Sequence, residues 1–281
     1  MDLDVIKQRL NALEKSSNGS NNGERRQLFW KPEVGKQTIR IVPSKFNPKM
    51  PFTEMLFYYG IGTNVMPSRT NYVDEDGNPL KDPIIEFTKQ LRQTSESENW
   101  KLAKKLDPKV RYFAPIIVRG MEDEGVKIWQ FGKELYETFL QLAVDEEVGD
   151  YTDVASGRDI KLVTVGPEVT GTKYNRTTAS PSMKVSSASE DADQVKTWLD
   201  DQVNPKDLFK NRIVEYDQTK QHLASWLNPE GSAQEGDIID EDKTPTSNNY
   251  SMNTSNTQVK QTKLDKFDSL FDEDKDNDLP F

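Results

Sequence analysis

The sequence predicts an α+β fold: a β-rich body with helices packed outside it, between a short arm and a long polar tail. Three observations carry that prediction. Residues 109–144 change hydrophobic period from two to about 3.6, reading as strand, acidic turn, strand and amphipathic helix. Residues 84–106 and 190–228 return to helical spacing. The stretch 16–24 and everything beyond Pro229 are polar and poor in apolar groups, as linkers and unfolded segments are.

Composition narrows the class. Only 34% of the 281 residues are apolar, against a usual ~45–50%, so part of the chain is expected to lack a packed core. Formal net charge is −10, which alone argues against a polyanion partner. The charge is unevenly spread, however. Residues 226–281 hold 13 acids and 5 lysines, a net of −8, whereas residues 24–189 hold 24 cations and 23 acids, a net of +1. Five cations (Lys101, Lys104, Lys105, Lys109, Arg111) stand against Asp107 alone between 101 and 111. A near-neutral body with a basic stripe therefore carries an acidic tail. With no cysteine there is no disulfide, no thiolate chemistry and no Cys-containing zinc site. No apolar run approaches the ~20 residues of a membrane span, and MDLDVIKQRL has no signal-peptide pattern, so a soluble intracellular protein is expected.

Residues 3–15 fit a short amphipathic helix through Leu3, Ile6, Leu10 and Leu13. At about 13 residues such a helix is marginal alone; it either folds back on its own core or docks on a neighbouring molecule. Ser16–Glu24 disconnects it from the body, which opens at Arg25. Strands are expected at Leu28–Trp30, Gly35–Val42, 52–61 and Arg158–Val165. Lys36 and Arg40 fall on the face of the second strand opposite Ile39 and Ile41. Gly62–Pro83 reads as irregular around a hairpin-type turn at Gly77, and Gly171–Ser182 as a polar loop holding Lys173, Tyr174 and Arg176. Asp74, Asp76 and Asn78 suggest calcium, but Pro79 stands where the loop needs glycine and Ile85 where it needs glutamate. The helices of 190–228 are expected on the outside of the sheet.

Within 109–131, alternation places Tyr112, Ala114, Ile116 and Val118 on one face and Arg111, Phe113, Ile117 and Arg119 on the other. In the next strand Val126 and Ile128 oppose Lys127, Trp129 and Phe131. Each strand thus shows cations and rings together, which a core explains poorly, because buried cations need partners. A surface that meets phosphates and bases explains it directly: rings stack on any base and cations neutralise phosphate. Further candidates for this interface are Tyr58, Arg69, Tyr72, Trp100, Lys133, Tyr136, Tyr174 and Arg176, beside the stripe Lys104, Lys105 and Lys109. Enzymatic motifs are absent: no Cys nucleophile, G-x-S-x-G, phosphate-binding Gly-Lys-Ser/Thr loop or H-E-x-x-H. The single histidine, His222, reads as a surface or half-buried helix residue. A carboxylate–metal nuclease and a non-binding scaffold or virion component are the alternatives to a nucleic-acid coat.

Thr38–Lys45 (TIRIVPSK), Pro51-Phe52, Arg111–Val118 (RYFAPIIV) and Lys127–Phe139 (KIWQFGKELYETF) resemble, in order and spacing, the T-even-type bacteriophage single-stranded DNA-binding (helix-destabilising) protein family. The likeness covers roughly residues 25–220. It implies an OB-type β-barrel core with packed helices and a small connecting subdomain, and cooperative, sequence-nonspecific coating of single strands in replication, recombination and repair. It implies three regions: residues 1–24 as self-association arm and linker, 25–228 as DNA-binding core, and 229–281 as a disordered acidic partner-binding tail. It also implies DNA contact for Arg111, Tyr112, Phe113, Trp129, Lys133 and Tyr136. Tyr112 lies on the face read as core unless Pro115 introduces a bulge. In the arm, Lys7 and Arg9 are offset by acids, so self-association is expected to rest on Leu3, Ile6, Leu10 and Leu13. The family's structural zinc is not expected, because the segment matching its ligands, Phe57–Leu91, has neither Cys nor His; the Tyr72–Leu80 hairpin and Ile84, Ile85 and Phe87 are expected to hold it instead. The implied partners are single-stranded DNA, further copies of the chain, and phage polymerase, helicase loader, primase and recombinase, in the cytoplasm of an infected bacterial host. The tip Asp276–Phe281 (DNDLPF), with Asp278, Leu279, Pro280 and Phe281, also resembles the acidic, phenylalanine-ended tip of bacterial single-strand-binding proteins.

Overall fold

The structure, a computed structural model, describes residues 28–228. The expected arm (1–24) and acidic tail (229–281) lie outside the described residues. In chain order the strands are β1 (Phe29–Trp30), β2 (Gly35–Ile41), β3 (Thr53–Ile61), β4 (Thr63–Pro67), β5 (Lys109–Val118), β6 (Lys127–Phe131), β7 (Arg158–Val165) and β8 (Arg176–Val185). The helices are α1 (Pro83–Gln93), α2 (Ser97–Leu106), α3 (Lys133–Val144), α4 (Pro167–Thr170), α5 (Ala192–Asp200), α6 (Pro205–Lys210) and α7 (Tyr216–Leu227). This mixed α+β chain divides into two compact units. The first runs to Glu54 and resumes at Val110–Leu208; the second comprises Met55–Lys109 and the chain from Phe209.

In the first unit the strands lie in the order β1-β6-β5-β2-β7-β8. All pairs are antiparallel except β1 with β6. Alternation along β2, β5 and β7 sends Ile39, Ile41, Tyr112, Ala114, Ile116, Ile160 and Leu162 into one apolar core. Helix α3 closes this core: its Phe139 is fully buried and stacks on Phe52 with ring centroids 5.7 Å apart. Gly157 is confined on the other side of Arg40, since a Cβ there would come within 2.4 Å of the Asp153 carbonyl oxygen and 2.8 Å of Arg40 Nη2.

Two expectations about the central hairpin are corrected here. Tyr112 pairs with Phe131, Ala114 with Trp129 and Ile116 with Lys127. Directly paired residues share a face, so Lys127 and Trp129 lie on the Tyr112 side while Arg111 and Phe113 lie on the reverse. The two cation–ring pairs are back to back rather than one surface. The reverse face is not open either. Phe113 is 0% exposed beside Phe29, and Ile117 is buried with Val42, Ala188 and Trp198 of α5. Pro115 introduces no bulge, because the register runs unbroken through its pairing with Ile128.

In the second unit β3 and β4 form a hairpin, Phe57 pairing with Pro67 and Tyr59 with Val65. At its tip Gly62 has φ +68, and a Cβ there would lie 2.6 Å from the His222 ring, so the lone histidine closes over a glycine. The core joins Tyr58, Ile61 and Met66 to Ile84, Phe87 and Leu91 of α1, Leu102, Ala103 and Leu106 of α2, and Leu223 and Leu227 of α7. Helix α7 therefore packs in this unit and not on the outer face of the first unit's sheet, as its sequence suggested. Asp82 caps α1, with Oδ1 accepting from Ile84 N at 3.1 Å, and Pro83 supplies the favourable first helical residue. The expected hairpin is present: Leu80 N donates to Tyr72 O at 2.9 Å and Asp74 N to Asn78 O at 2.9 Å. Ile84 and Phe87 are buried and Ile85 is half-buried.

Candidate nucleic-acid interface

In the first unit, β6 ends at Phe131, Gly132 turns the chain and α3 begins at Lys133. One turn into α3, Tyr136 lies flat on Tyr112 of β5, with centroids 3.7 Å apart and planes 12° from parallel. Arg111, one residue before Tyr112, places Nη1 3.6 Å from where a Gly132 Cβ would stand. Arg111, Tyr112, Lys133 and Tyr136 are thus gathered around the N-terminus of α3. Lys133 is exposed, Arg111 and Tyr136 are half-buried, and Tyr112 is 7% exposed at the margin of the core.

Carboxylates interleave with these groups. Tyr136 Oη donates to Glu54 Oε1 at 2.9 Å, Lys133 Nζ lies 3.4 Å from Glu137, and Arg176 pairs with Glu134. Burial, with the bond to Glu54 second, pushes the Tyr136 phenol up to about 12, and burial also raises that of Tyr112. Both rings therefore stay neutral, and neutral rings stack on bases without charge repulsion from phosphate.

The second unit carries another ring–cation group, on α2. Its buried positions Asn99, Leu102, Ala103 and Leu106 follow helical spacing, which turns Trp100 outward, where it is 54% exposed. Trp30 and Trp226 are half-buried, and Trp129 and Trp198 are buried, so Trp100 is the most open of the tryptophans. The Arg92 guanidinium sits 5.6 Å from the Trp100 ring centroid and bonds Asp107 Oδ1 at 2.6 Å. Lys104 follows Trp100 by one helical turn, and Lys104, Lys105 and Lys109 are all exposed. Nothing in the sequence pattern singled out Arg92; it reaches Trp100 only because α1 and α2 pack side by side.

Several sequence-predicted contacts are placed elsewhere. Arg40 is 0% exposed and donates to Asp153 O, Ser186 O and Asp159, and burial lowers its pKa. Tyr58 is 2% exposed and donates to Asp82 at 3.1 Å. Arg69 is held by the Lys81 and Val214 carbonyls at 2.9 and 2.6 Å. Phe113 and Trp129, at 0% and 1% exposure, are core residues, because both faces of the β5–β6 hairpin are covered. Lys127 is 14% exposed in its side chain and pairs with Glu124 at 2.9 Å. Lys36 and Arg176 are exposed, and Tyr72 and Tyr174 are half-buried.

The model of the gp32 DNA binding protein like family matches residues 33–227, more than half of the chain. The chain belongs to that family. A search of curated proteins gave no match. The gp32-like match spans both units, so both ring–cation groups fall within the DNA-binding family's own extent.

The residues of the segment Phe57–Leu91 do not fit the zinc that the sequence resemblance implies. The segment offers no Cys or His, and its one deeply buried carboxylate is already occupied. Asp82, 2% exposed, accepts from Ser68 Oγ at 2.6 Å, Tyr58 Oη at 3.1 Å, Arg69 N at 3.1 Å and Ile84 N at 3.1 Å. Among the described residues no group of three or more His, Cys, Asp or Glu side chains is placed to hold a metal ion. The Asp74 carboxylate is likewise engaged, accepting from Asp76 N and Asn78 N. No described helix is long and apolar enough to cross a membrane.

Proposed function

We propose that this chain is a non-enzymatic, sequence-nonspecific protein that coats single-stranded DNA cooperatively during phage replication, recombination and repair. The observation that carries the reading is the exposed Trp100 with Arg92, Lys104 and Lys105, seconded by half-buried Tyr136, stacked on the buried Tyr112, with Arg111 and the exposed Lys133. Such groups bind a splayed strand through stacking, at ~1–3 kcal/mol per base, and through phosphate neutralisation. Neither group presents the rigid polar edge readout that would favour one base. Membership of a DNA-binding family supports the same reading.

The first unit's sheet, with α3 closing one core face, is read as an OB-type barrel, and the second unit as its connecting subdomain. Residues 1–24 act as the self-association arm, through Leu3, Ile6, Leu10 and Leu13. Residues 229–281 recruit replication proteins, with Leu279, Pro280 and Phe281 filling an apolar pocket and Asp276 and Asp278 steering toward basic rims. The site of action is the cytoplasm of the infected host.

Titrating poly-dT and duplex DNA into the protein at several salt concentrations, with and without magnesium, tests the reading. Poly-dT is expected to bind at least about tenfold tighter than duplex, with affinity falling steeply as salt rises, and with no strand cut. Tryptophan emission should fall on binding, and Trp100→Phe should remove most of that change. Equal affinity for duplex, or cleavage with magnesium, overturns the proposal.

A further inference from the structure

Resting on the reading as a single-strand coat, we infer that the outer face of β2, β7 and β8 is a second track for the strand, one that holds its phosphates. The register fixes which residues share this face. Lys36 pairs with Val163 and Thr38 with Lys161. Across the next pairing Val163 faces Thr178 and Lys161 faces Ser180. The alternate residues Ile160, Leu162 and Thr164 are buried toward the apolar core, so the Lys36–Lys161 side is the outer one. Lys36, Lys161, Thr178 and Ser180 are all exposed.

Charge decides the occupant. In a chain of net −10, the outward positions of these three strands carry one carboxylate, Asp159, and it is consumed by Arg40 and Arg119. Lys36 and Lys161 form no ion pair among the described residues. They are diagonal neighbours on adjacent strands, about 7–8 Å apart at their Cα positions. The hydroxyls of Thr38, Thr178 and Ser180 surround them with short donors, and Val163, 39% exposed, offers a small apolar seat for a sugar. No aromatic ring lies on these strands' outer face, so bases gain no platform there. The chemistry suits a polyanionic backbone and is indifferent to base identity. The ring–cation groups differ in that their cations Lys133 and Arg92 each have a carboxylate beside them. On this face Arg176, opposite Val165 at the start of β8, is held by Glu134, while Lys36 and Lys161 are not paired among the described residues.

The experiment compares the full chain with Lys36→Ala/Lys161→Ala, measuring poly-dT affinity against salt, with Lys196→Ala on the exposed side of α5 as control. The salt slope is expected to become shallower by ~0.7 for each lysine that meets a phosphate, and low-salt affinity to fall about tenfold. Thr178→Lys, which adds a cation in the middle of the face, should steepen the slope and guards against a result caused by damage to the fold. Unchanged slopes in both variants, with melting temperatures equal to the parent's, overturn the inference while leaving the coat reading intact. Failure of the parent chain to bind poly-dT would instead refute that reading. A synthetic peptide of residues 264–281 provides the remaining arm. If it binds the parent but not the double variant, and DNA affinity is equal in both, the face belongs to an acidic peptide and the inference fails.

Discussion

Asp159 shows how much of this protein's charge is internal. Its Oδ1 accepts from Arg119 Nη2 at 2.7 Å and Nε at 3.0 Å and from Arg40 Nη1 at 3.3 Å. The two guanidiniums then reach backbone carbonyls of 186–188, Arg40 to Ser186 at 2.6 Å and Arg119 to Ala188 at 2.7 Å, which ties that segment across the sheet. A fully buried cation without its carboxylate is costly. Asp159→Ala should therefore lower unfolding free energy by about 3 kcal/mol in urea titrations, and a loss under about 1 kcal/mol would contradict this account. Sequence alone presented Arg40 as a surface cation because alternation separates faces without saying which face is covered. The cover, Ala188 and Trp198, comes from about 150 residues further along the chain, a distance that local pattern cannot bridge.

At the scale of elements, the strongly periodic ones were legible. Residues 133–144 and 158–165 were expected as the helix and strand that α3 and β7 became. Two strands were not. β4 (TNVMP) is too short to show alternation, and β8 (RTTASPSMKV) is a terminal strand of the sheet whose outward residues are polar, so its hydroxyl-rich sequence read as loop. The cation–ring pattern of β5 and β6 was real, but its register was not visible in the sequence. A pairing shift of one residue decides whether two patterned faces coincide or oppose. The β3–β4 hairpin and α1 are fastened by Asp82, which gathers four donors from three separate segments. Asp82→Ala removes a helix cap and leaves buried hydroxyls unpaired, and should cost more than about 3 kcal/mol. The parent's melting temperature should not move in excess chelator; a drop, or stoichiometric zinc in the purified protein, would show that a metal and not Asp82 fastens this unit.

For the whole molecule, the imbalance between a near-neutral body and a tail of net −8 is the dominant electrostatic fact. If the tail competes with DNA for the body's cations, removing residues 230–281 raises poly-dT affinity most at low salt and progressively less as added salt shortens the screening length. An identical salt dependence with and without the tail would rule that competition out. The body is prepared for such exchange, because Glu134 and Glu137 already occupy Arg176 and Lys133 in the way that a phosphate would.

The buried carboxylate of Asp82 has a consequence for supply. If the chain coats single strands as proposed, it is needed in proportion to the length of strand covered, and its copy number would follow the nucleotides exposed. A unit fastened by a bound ion would draw one ion from the cell with every copy made. If Asp82 alone fastens it, each copy folds without drawing on an ion, and supply would be limited by synthesis of the chain alone.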